Sequence, residues 1–427
     1  MKGLEGIRVI DFSQYVAAPA CPRILGEMCA DVIKIEPLTG DEQRTQGASY
    51  GMIPDEIENR GYDQANTNKK WVSINVKHPE GMNFALKLIG DADIFVTNMR
   101  DGALKRLGLD YETLSKKFPQ LVWAQARGYG ERGPMKDAKG FDATSYSARG
   151  GYALNCPQKG DAPANMPVAI GDWNASMALT SGVLAALVRR LKTGKGDRVS
   201  VNLYHVALWG MQIPIISRQD GLEYPKSRKT MPCPTNNSYC SKDGIWFIIC
   251  FGHYNKYHEL VFRTIGLDDL IGQKDVESLE GFQENGKHVY VIKRMEEAFR
   301  QKNYAEWEKL FLENDIPFEK CFSVDDILAD EEAYANDALR HFHYDRFGDK
   351  VMPTTPIRLW SVGDPDIWIA KPVGYDTKTY MLQYGYNEDE ISKLAKDGVV
   401  KIYAGEPLQF HKAEKTSAKI PLPGYNP

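Results

Sequence analysis

The sequence predicts an α/β protein with a Rossmann-like, doubly wound parallel sheet and a second, smaller α+β domain. In roughly the first 130 residues, short β-branched runs alternate with amphipathic segments, which is typical of a parallel sheet. From about residue 220 this alternation stops, and a proline-bearing stretch leads into a hairpin-like pair of strands and a charged helical region. Ligands of a doubly wound fold bind at the carboxyl ends of its strands.

The strands of the parallel sheet are predicted from short apolar runs, in chain order IRVIDF, DVIKIE, WVSINV, DIFVTN and LVWAQAR. Helices are predicted from about Pro19 to Cys29 and from about Pro79 onward. A long helix, NASMALTSGVLAALVRRLK, follows Asp172. It should end at Gly194, because glycine adopts the left-handed conformation that caps helices, and a further strand should follow in GDRVSVNLY.

The domain boundaries are predicted from changes in composition along the chain. The expected division is a large domain of residues 1–220 and 331–427, a small domain of residues 225–330, and linkers at 220–225 and about 330–350. In the small domain, SYCSKDGIWFIICFGHYNKYHELVF indicates a hairpin that runs into a helix. A helix is expected near 387–397, and the tail KAEKTSAKIPLPGYNP is expected to lie on the surface.

Composition and charge exclude several classes of function. A net charge of -4 provides no basic surplus for a nucleic-acid backbone, so no nucleic-acid partner is predicted. The chain has no apolar run of about 18 residues and no signal peptide at its start, which predicts a cytoplasmic protein without a membrane partner. The seven cysteines are scattered and never spaced C-x-x-C, so neither disulfides nor a metal site is expected.

Two glycine motifs match known signatures in letters but not in context. GYGERG (128–133) follows a strand, yet Pro134 and the polar residues after it do not open the helix that a dinucleotide site requires. GASYG (47–51) would nominate Ser49 as a hydrolase nucleophile, but it lacks the strand and helix of a nucleophile elbow. Neither motif is expected to carry function, and TGKG is not a phosphate-binding loop.

Asp172, in IGDWNASM, is the main candidate for chemistry and has two interpretations that can hold together. The carboxylate could be a helix N-cap that accepts from the free N–H groups of the first turn. It could also be a nucleophile that the helix start keeps ionised, with backbone donors nearby for an oxyanion.

These residues belong to an ordered set of motifs that resembles the class III CoA-transferases, a family that includes formyl-CoA, carnitine and aryllactate CoA-transferases. The motifs are, in order, LEGIRVIDFSQYVAAP, ADVIKIEP, NKKWVSINVKHPEG, ADIFVTNMRDGALKRLG, GYGERGP with GFD, and IGDWNASMAL with TGKGDRVSV. The resemblance covers most of the chain and is strongest to members acting on 2-hydroxyacyl groups, especially around GFDATSYSARGG. It implies an enzyme of acyl-CoA metabolism that would act in a pathway such as amino acid fermentation.

The resemblance implies that Asp172 accepts the acyl group, forming a mixed anhydride and then an aspartyl-CoA thioester. Coenzyme A and its acyl esters would be substrates together with a small carboxylic acid, no cofactor would be permanently bound, and the protein would form an interlaced homodimer. The CoA contacts implied by the resemblance are Val16, Ala17, Ile74, Asn75, Val76, Lys77, Asn98, Met99, Arg106 and Lys139. Arg106 and Lys139 are cations of the kind that phosphate groups require.

Departures from the formyl-CoA branch leave the acid open. Pro37 replaces an arginine, Phe141 replaces a tyrosine, and no tetraglycine loop lies between about 220 and 260. Phe141 and Trp173 would suit a bulkier, partly apolar acyl group such as an aryllactate or 2-hydroxyisocaproate. A carnitine, bile acid or oxalate-type transferase, an α-methylacyl-CoA racemase and a non-enzymatic acyl-CoA-binding protein are the alternatives, although a racemase would need a histidine where Phe141 stands.

Overall fold

A seven-stranded sheet dominates the structure, which is a computed structural model that describes residues 2–415. The strands are β1 (Arg8–Phe12), β2 (Asp31–Glu36), β3 (Lys70–Ile74), β4 (Ile94–Thr97), β5 (Val122–Arg127), β6 (Arg198–Asn202), β7 (Asn236–Cys240), β8 (Trp246–Cys250), β9 (Phe318–Lys320), β10 (Leu339–Tyr344), β11 (Gly348–Pro353) and β12 (Val400–Lys401). The large sheet has the order β12-β3-β2-β1-β4-β5-β6. Its strands are parallel except β12, which pairs antiparallel with β3.

The strand order confirms the predicted doubly wound α/β fold. The chain runs outward from β1 through β2 to β3, and then returns to the other side of β1 with β4. The order therefore reverses between β1 and β4, where Val9 pairs with Ile94 and Phe12 pairs with Thr97. A crevice opens at the carboxyl ends of the strands at such a reversal, and ligands of this fold bind there.

Helices connect these strands. They are α1 (Ala20–Glu27), α2 (Gln43–Gln46), α3 (Arg60–Asp63), α4 (Pro79–Gly90), α5 (Asp101–Leu107), α6 (Tyr111–Lys117), α7 (Tyr152–Asn155), α8 (Ile170–Thr193), α9 (Leu203–Gly210), α10 (Gln212–Gln219), α11 (Tyr254–Ile265), α12 (Leu279–Asn285), α13 (His288–Phe299), α14 (Tyr304–Glu313), α15 (Val324–Ala329), α16 (Glu331–Ala335), α17 (Thr377–Gln383) and α18 (Glu388–Lys396). The predicted end of the long helix is confirmed, because Gly194 caps α8 with a φ of 72°. Among the described residues, no helix combines the length and the apolar character needed to cross a bilayer.

The two faces of the sheet are covered by separate apolar cores. Adjacent residues of a strand point to opposite faces, so Val9 and Ile94 pack with α1 and α8, whereas Ile10 and Phe95 pack on the α4 side. All four side chains are completely buried. Burial on both faces explains why the predicted strands are continuous apolar runs instead of alternating ones.

The described residues divide into two compact units. One comprises residues 2–152, 166–212 and 330–415, and the other comprises residues 153–165 and 213–329. The second unit thus starts earlier than the expected small domain and includes a segment that the sequence division left in the large one. Most of the predicted surface tail, residues 416–427, lies outside the described residues.

The second unit has its own sheet and core. Strands β7, β8 and β9 form an antiparallel sheet, and the predicted hairpin that runs into a helix is confirmed by β7, β8 and α11. Its core is aromatic, with Tyr239, Phe247, Phe262 and Trp307 almost completely buried. The charged region 275–345 is helical as expected, but β9 and β10 interrupt it.

All seven cysteines in the chain are free thiols.

Candidate active site

A cavity of about 680 Å³ lies at the carboxyl ends of β1, β4, β5 and β6, beside the reversal of strand order. Its lining includes seven of the residues that the sequence analysis selected, namely Ala17, Asn98, Met99, Arg106, Lys139, Phe141 and Asp172. These residues come from four separate stretches of the chain. The parallel topology brings them together, because all their strands end at the same edge of the sheet.

The other selected residues lie outside the lining of this cavity. Val16 is buried beside Ala20, Ala65 and Ala169, and the partly buried Trp173 packs against that group. The segment 74–77 begins at the last residue of β3, which is separated from β1 by β2, and its Ile74 is buried in the sheet core. A role for Val16, Trp173 and residues 74–77 in binding CoA or its acyl group stays a prediction.

Asp172 lies in the first turn of α8 but is not its N-cap, so that part of the sequence interpretation is wrong. The N-cap is Ala169, which adopts a left-handed conformation with a φ of 62° and offers no side-chain acceptor. Asp172 is the third residue of the helix, and among the described residues its carboxylate has no hydrogen-bond donor. The carboxylate is partly buried and faces the cavity with its oxygens available.

Asp142 supplies the helix cap that Ala169 cannot provide. It begins a π-helical turn (Asp142–Ala148), and its Oδ1 accepts from the Gly171 N–H at 2.6 Å. A side chain at Gly171 would not fit, since its Cβ would stand 2.2 Å from Cγ of Tyr146. In the sequence analysis Asp142 is part of the motif GFD and has no assigned role. Because Asp142 lies far from Gly171 along the chain, its capping of α8 could not be inferred from the sequence.

The two carboxylates at this helix end influence each other. Burial, followed by the negative charge of Asp142, raises the pKa of Asp172 to about 7. Burial also raises the pKa of Asp142, but the backbone N–H groups of Gly171, Asp172 and Ala169 oppose that rise. The sequence analysis expected the helix start to keep Asp172 ionised, but burial and the charge of Asp142 shift its pKa in the opposite direction.

Asn98 fixes the loop after β1 on one wall of the cavity. Its Oδ1 accepts from the Gln14 N–H at 3.0 Å, and its Nδ2 donates to the Gln14 carbonyl at 2.6 Å. The next residue, Tyr15, has a φ of 65°, and its ring lies edge-on to the half-exposed Phe141 with 5.7 Å between centroids. Asn98 therefore fixes the loop after β1 against the end of β4. This loop carries Tyr15, whose ring packs with that of Phe141 in the cavity lining.

A buried cluster of charged side chains also holds the loop after β1. Lys69 Nζ lies 2.8 Å from Asp11 Oδ2, and Lys34 Nζ lies 3.4 Å from that oxygen and 3.0 Å from Asp41 Oδ2. Asp41 Oδ1 in turn accepts from the Tyr15 N–H at 3.1 Å. The two lysines and two aspartates thus form a buried network, in which burial lowers the pKa of Lys69 to about 7, and Asp41 joins this network to the backbone of Tyr15.

The cavity carries more cationic than anionic side chains. Arg127 is neutralised by a bidentate pair with Asp101, at 2.9 and 2.6 Å. Four further cations of the lining have no ion pair with any residue that the structure describes, and these are Arg100, Arg106, Lys136 and Lys139.

Sequence reasoning found Arg106 and Lys139 but missed Arg100, Lys136 and Arg127. The polar ending QAR of an otherwise apolar strand was the available signal for Arg127.

Both glycine motifs have structural explanations that need no ligand. Gly128, the first glycine of GYGERG, packs on Gly140 so closely that an added Cβ would stand 2.4 Å from the Gly140 Cα. As predicted, no helix opens within the described residues 128–141. GASYG forms a 3₁₀ turn after α2, and this confirms that Ser49 does not lie on a strand-to-helix elbow.

Comparison with known proteins agrees with this architecture. The model of CoA-transferase family III matches residues 4–377. The (R)-2-hydroxy-4-methylpentanoate CoA-transferase of Clostridioides difficile is 39% identical over 398 residues, covering 93% of this chain and 99% of that protein. The cinnamoyl-CoA:phenyllactate CoA-transferase of Clostridium sporogenes is 37% identical over 397 residues, covering 92% and 96%.

The fold is also shared with solved structures. A crystal structure of a Mycobacterium tuberculosis protein superposes with a TM-score of 0.75 at 23% identity, covering 89% of this chain and 99% of that one. The family match spans strands β1 to β6 of the large sheet, the cavity lining and Asp172. The chain accordingly belongs to CoA-transferase family III and is a CoA-transferase.

Proposed function

We propose that this enzyme moves CoA between an acyl-CoA donor and a 2-hydroxy acid, with Asp172 as the acyl-accepting nucleophile. The observation that carries the proposal is the Asp172 carboxylate, which faces the cavity at the strand reversal without a hydrogen-bond donor among the described residues. The other carboxylate at the same helix end, Asp142, is engaged by backbone. Of the two, Asp172 is the one with oxygens free to attack.

The proposed reaction proceeds through four balanced exchanges. Asp172 attacks the thioester carbonyl of the donor, which forms a mixed anhydride and expels CoA as a thiolate. The thiolate then attacks the Asp172 carbonyl, forming an aspartyl-CoA thioester and releasing the donor acid. The acceptor carboxylate attacks this thioester to give a second anhydride and expels the CoA thiolate. The thiolate then attacks the acceptor's acyl carbonyl to give the new acyl-CoA and free Asp172.

A pKa near 7 suits this role. A carboxylate of ordinary pKa is a weak nucleophile, whereas a more basic one attacks more readily while about half of it is still ionised at neutral pH. The N-terminus of α8 adds positive potential where the oxyanion would form. Exclusion of water would protect the anhydride from hydrolysis.

The unpaired cations of the lining are the proposed contacts for CoA. Coenzyme A carries a pyrophosphate and a 3′-phosphate, and Arg106 and Lys139 can provide charge-assisted hydrogen bonds to them. Arg100 and Lys136 add to the same positive surface. With Asp101 committed to Arg127, the remaining positive charge favours an anionic cofactor substrate.

The acid is proposed to be a 2-hydroxy acid with an apolar side chain, such as 2-hydroxyisocaproate or an aryllactate. Two relatives more than one third identical to this chain act, by name, on 2-hydroxy-4-methylpentanoate and phenyllactate. The rings of Tyr15 and Phe141 add an apolar wall to the cavity. A racemase is disfavoured, since the described lining contains no histidine for a second base.

Trapping of the acylated aspartate tests the proposal. The enzyme is incubated with isotope-labelled acyl-CoA and hydroxylamine, and the peptide containing Asp172 is analysed by mass spectrometry. We expect a hydroxamate on Asp172 and loss of transfer in Asp172→Ala. Asp389→Ala is the matched control, because Asp389 also lies in the first turn of a helix but is exposed and absent from the cavity lining. Full turnover of Asp172→Ala, or labelling of another residue only, would refute the assignment.

The family resemblance supports two further proposals that need their own tests. An interlaced homodimer predicts twice the mass of the chain by light scattering after size-exclusion chromatography. A cytoplasmic location predicts that the enzyme fractionates with cytosolic markers in its native cell.

A further inference from the structure

A cluster of three side chains outside the cavity has the geometry of a metal site. The atoms His343 Nε2 and His411 Nε2 each lie 3.5 Å from Asp345 Oδ1, and one potential ligand atom from each residue lies within 4.8 Å of the others. Tetrahedral zinc with bonds of about 2.0–2.1 Å separates its ligands by roughly 3.3 Å. The two 3.5 Å separations already lie close to that spacing.

The turn that carries Asp345 is held in place by the buried Glu58. Glu58 accepts from the Asp345 N–H at 2.7 Å and from the Arg346 N–H at 2.9 Å. The preceding residue, Tyr344, is buried and donates its hydroxyl to Asp63 at 2.7 Å. The carboxylate of Asp345 is therefore displayed from a fixed backbone, and its own oxygens remain exposed.

His343 has the second partner that metal-binding histidines require. Its Nδ1 lies 2.7 Å from Asp349 Oδ1, across the hairpin of β10 and β11. With the Nδ1–H donated to this carboxylate, Nε2 keeps its lone pair and lies 3.5 Å from Asp345 Oδ1. A carboxylate behind a histidine is the usual way that proteins orient and strengthen a metal-ligating ring.

The third ligand comes from the C-terminal strap, which we define as residues 402–415. The strap lies on β10 through the Glu414 N–H, which donates to the His341 carbonyl at 2.8 Å, and the His341 N–H, which donates to the Glu414 carbonyl at 3.1 Å. The ring of His411 packs edge-on against that of His343, with 4.8 Å between centroids. A metal at this point would join the strap to the hairpin.

We infer that His343, Asp345 and His411 bind one divalent transition-metal ion of the Zn²⁺ class. Two imidazole nitrogens and one carboxylate oxygen are a donor set that favours Zn²⁺ over Mg²⁺ or Ca²⁺, which prefer oxygen ligands. None of the three residues lines the proposed catalytic cavity, so the inference does not depend on the proposed function. The sequence analysis expected no metal site, because the chain lacks the residue spacings of known zinc signatures.

Calorimetric titration of ZnCl₂ into the EDTA-treated, dialysed full chain tests the inference. We expect one Zn²⁺ per chain with a dissociation constant of about 10 μM or tighter, and at least tenfold weaker binding by His343→Ala and by His411→Ala. Asp349→Asn should weaken binding by about 10 to 100-fold while keeping all three ligands. The control His205→Ala/His253→Ala removes two exposed histidines outside the cluster and should leave binding unchanged.

Limited proteolysis provides a second measurement that does not require tight binding. Zn²⁺ should slow cleavage within the strap of the wild-type chain but not of the folded His411→Ala variant, whose fold is checked by circular dichroism. Unchanged affinity in His411→Ala overturns the inference, and so does equal loss of binding in the histidine control. Absence of both binding and protection at 1 mM ZnCl₂ overturns it as well.

Discussion

The raised pKa of Asp172 predicts how the rate of acyl transfer depends on pH. A nucleophilic carboxylate must be ionised, and with a pKa of about 7 the ionised fraction is about one tenth at pH 6, one half at pH 7 and nine tenths at pH 8. We therefore expect kcat/KM for the acyl-CoA donor to rise about tenfold between pH 6 and pH 8. An aspartate of ordinary pKa would give a flat profile over the same range.

Asp142→Asn isolates the electrostatic part of this shift. The asparagine carbonyl can still accept from the Gly171 N–H, but the like charge that raises the pKa of Asp172 is gone. The inflection should move to lower pH and stay above the ordinary range, since burial is the larger cause and remains. Asp137→Asn removes another carboxylate of the same cavity lining that does not shift the pKa of Asp172, so it should leave the inflection in place.

The assay is the initial rate of acylation of the Asp172 peptide, measured by rapid quenching and mass spectrometry from pH 5.5 to 8.5. This step avoids product release, which limits many enzymes. A rate that is flat or falls with increasing pH would contradict the reasoning. The same conclusion would follow if Asp142→Asn and Asp137→Asn had identical profiles.

The pH dependence of protein stability is an independent check of the raised pKa of Asp172, and the direction of the effect follows from the direction of the pKa shift. A carboxyl group whose folded pKa lies above its ordinary 3.8 loses stabilisation as pH rises from about 4 to about 7, because the folded state binds more protons in that range. The difference between the folded pKa of about 7 and the ordinary 3.8 corresponds to at most about 4 kcal/mol of unfolding free energy. Asp172→Asn should therefore be more stable than wild type toward urea at pH 8 and equal to it at pH 4.

Three further predictions follow from close contacts in and beneath the site. Gly171→Ala should lower kcat about 100-fold and cost about 1–3 kcal/mol of unfolding free energy, measured by kinetics and urea titration, because its Cβ would overlap the ring of Tyr146. Lys69→Met should cost about 3–5 kcal/mol by the same titration, because it leaves the buried Asp11 with fewer positive neighbours. Arg106→Ala should raise KM for acyl-CoA about tenfold with little change in kcat and weaken the salt dependence of KM, whereas an unchanged KM would contradict its role as a CoA contact.

The six parallel strands of the large sheet could be predicted because each is encoded locally, whereas the two-residue antiparallel β12 was not predicted. Runs such as VIDF and IFVT are buried on both faces, so their apolar character survives in any single stretch of sequence. The end of α8 at Gly194 is encoded locally as well, by a residue suited to a left-handed φ. Short helices such as α5 and α9 were missed because their few turns give too little periodicity.

The start of α8 shows where local reasoning fails. The left-handed φ at Ala169 has no signal in the sequence, since alanine rarely adopts it, and it places the N-cap three residues before Asp172. The cap comes instead from Asp142, which only the fold brings to this helix end. Likewise, Asn98 and Gln14 meet because β1 and β4 are neighbours in the sheet, which no spacing along the chain reveals.

Asp142 and Asp172 have different roles at the start of α8, and this difference underlies the chemistry proposed for the site. If Asp172 capped its own helix, its oxygens would be occupied by backbone N–H groups and its pKa would be held down. Because Asp142 takes that position from outside the helix, both influences on Asp172, burial and a neighbouring negative charge, raise its pKa. Environments that push the pKa values of paired groups apart are characteristic of catalytic sites. The cap thus stabilises the start of α8 and at the same time leaves the Asp172 carboxylate without a backbone donor, as its proposed role as a nucleophile requires.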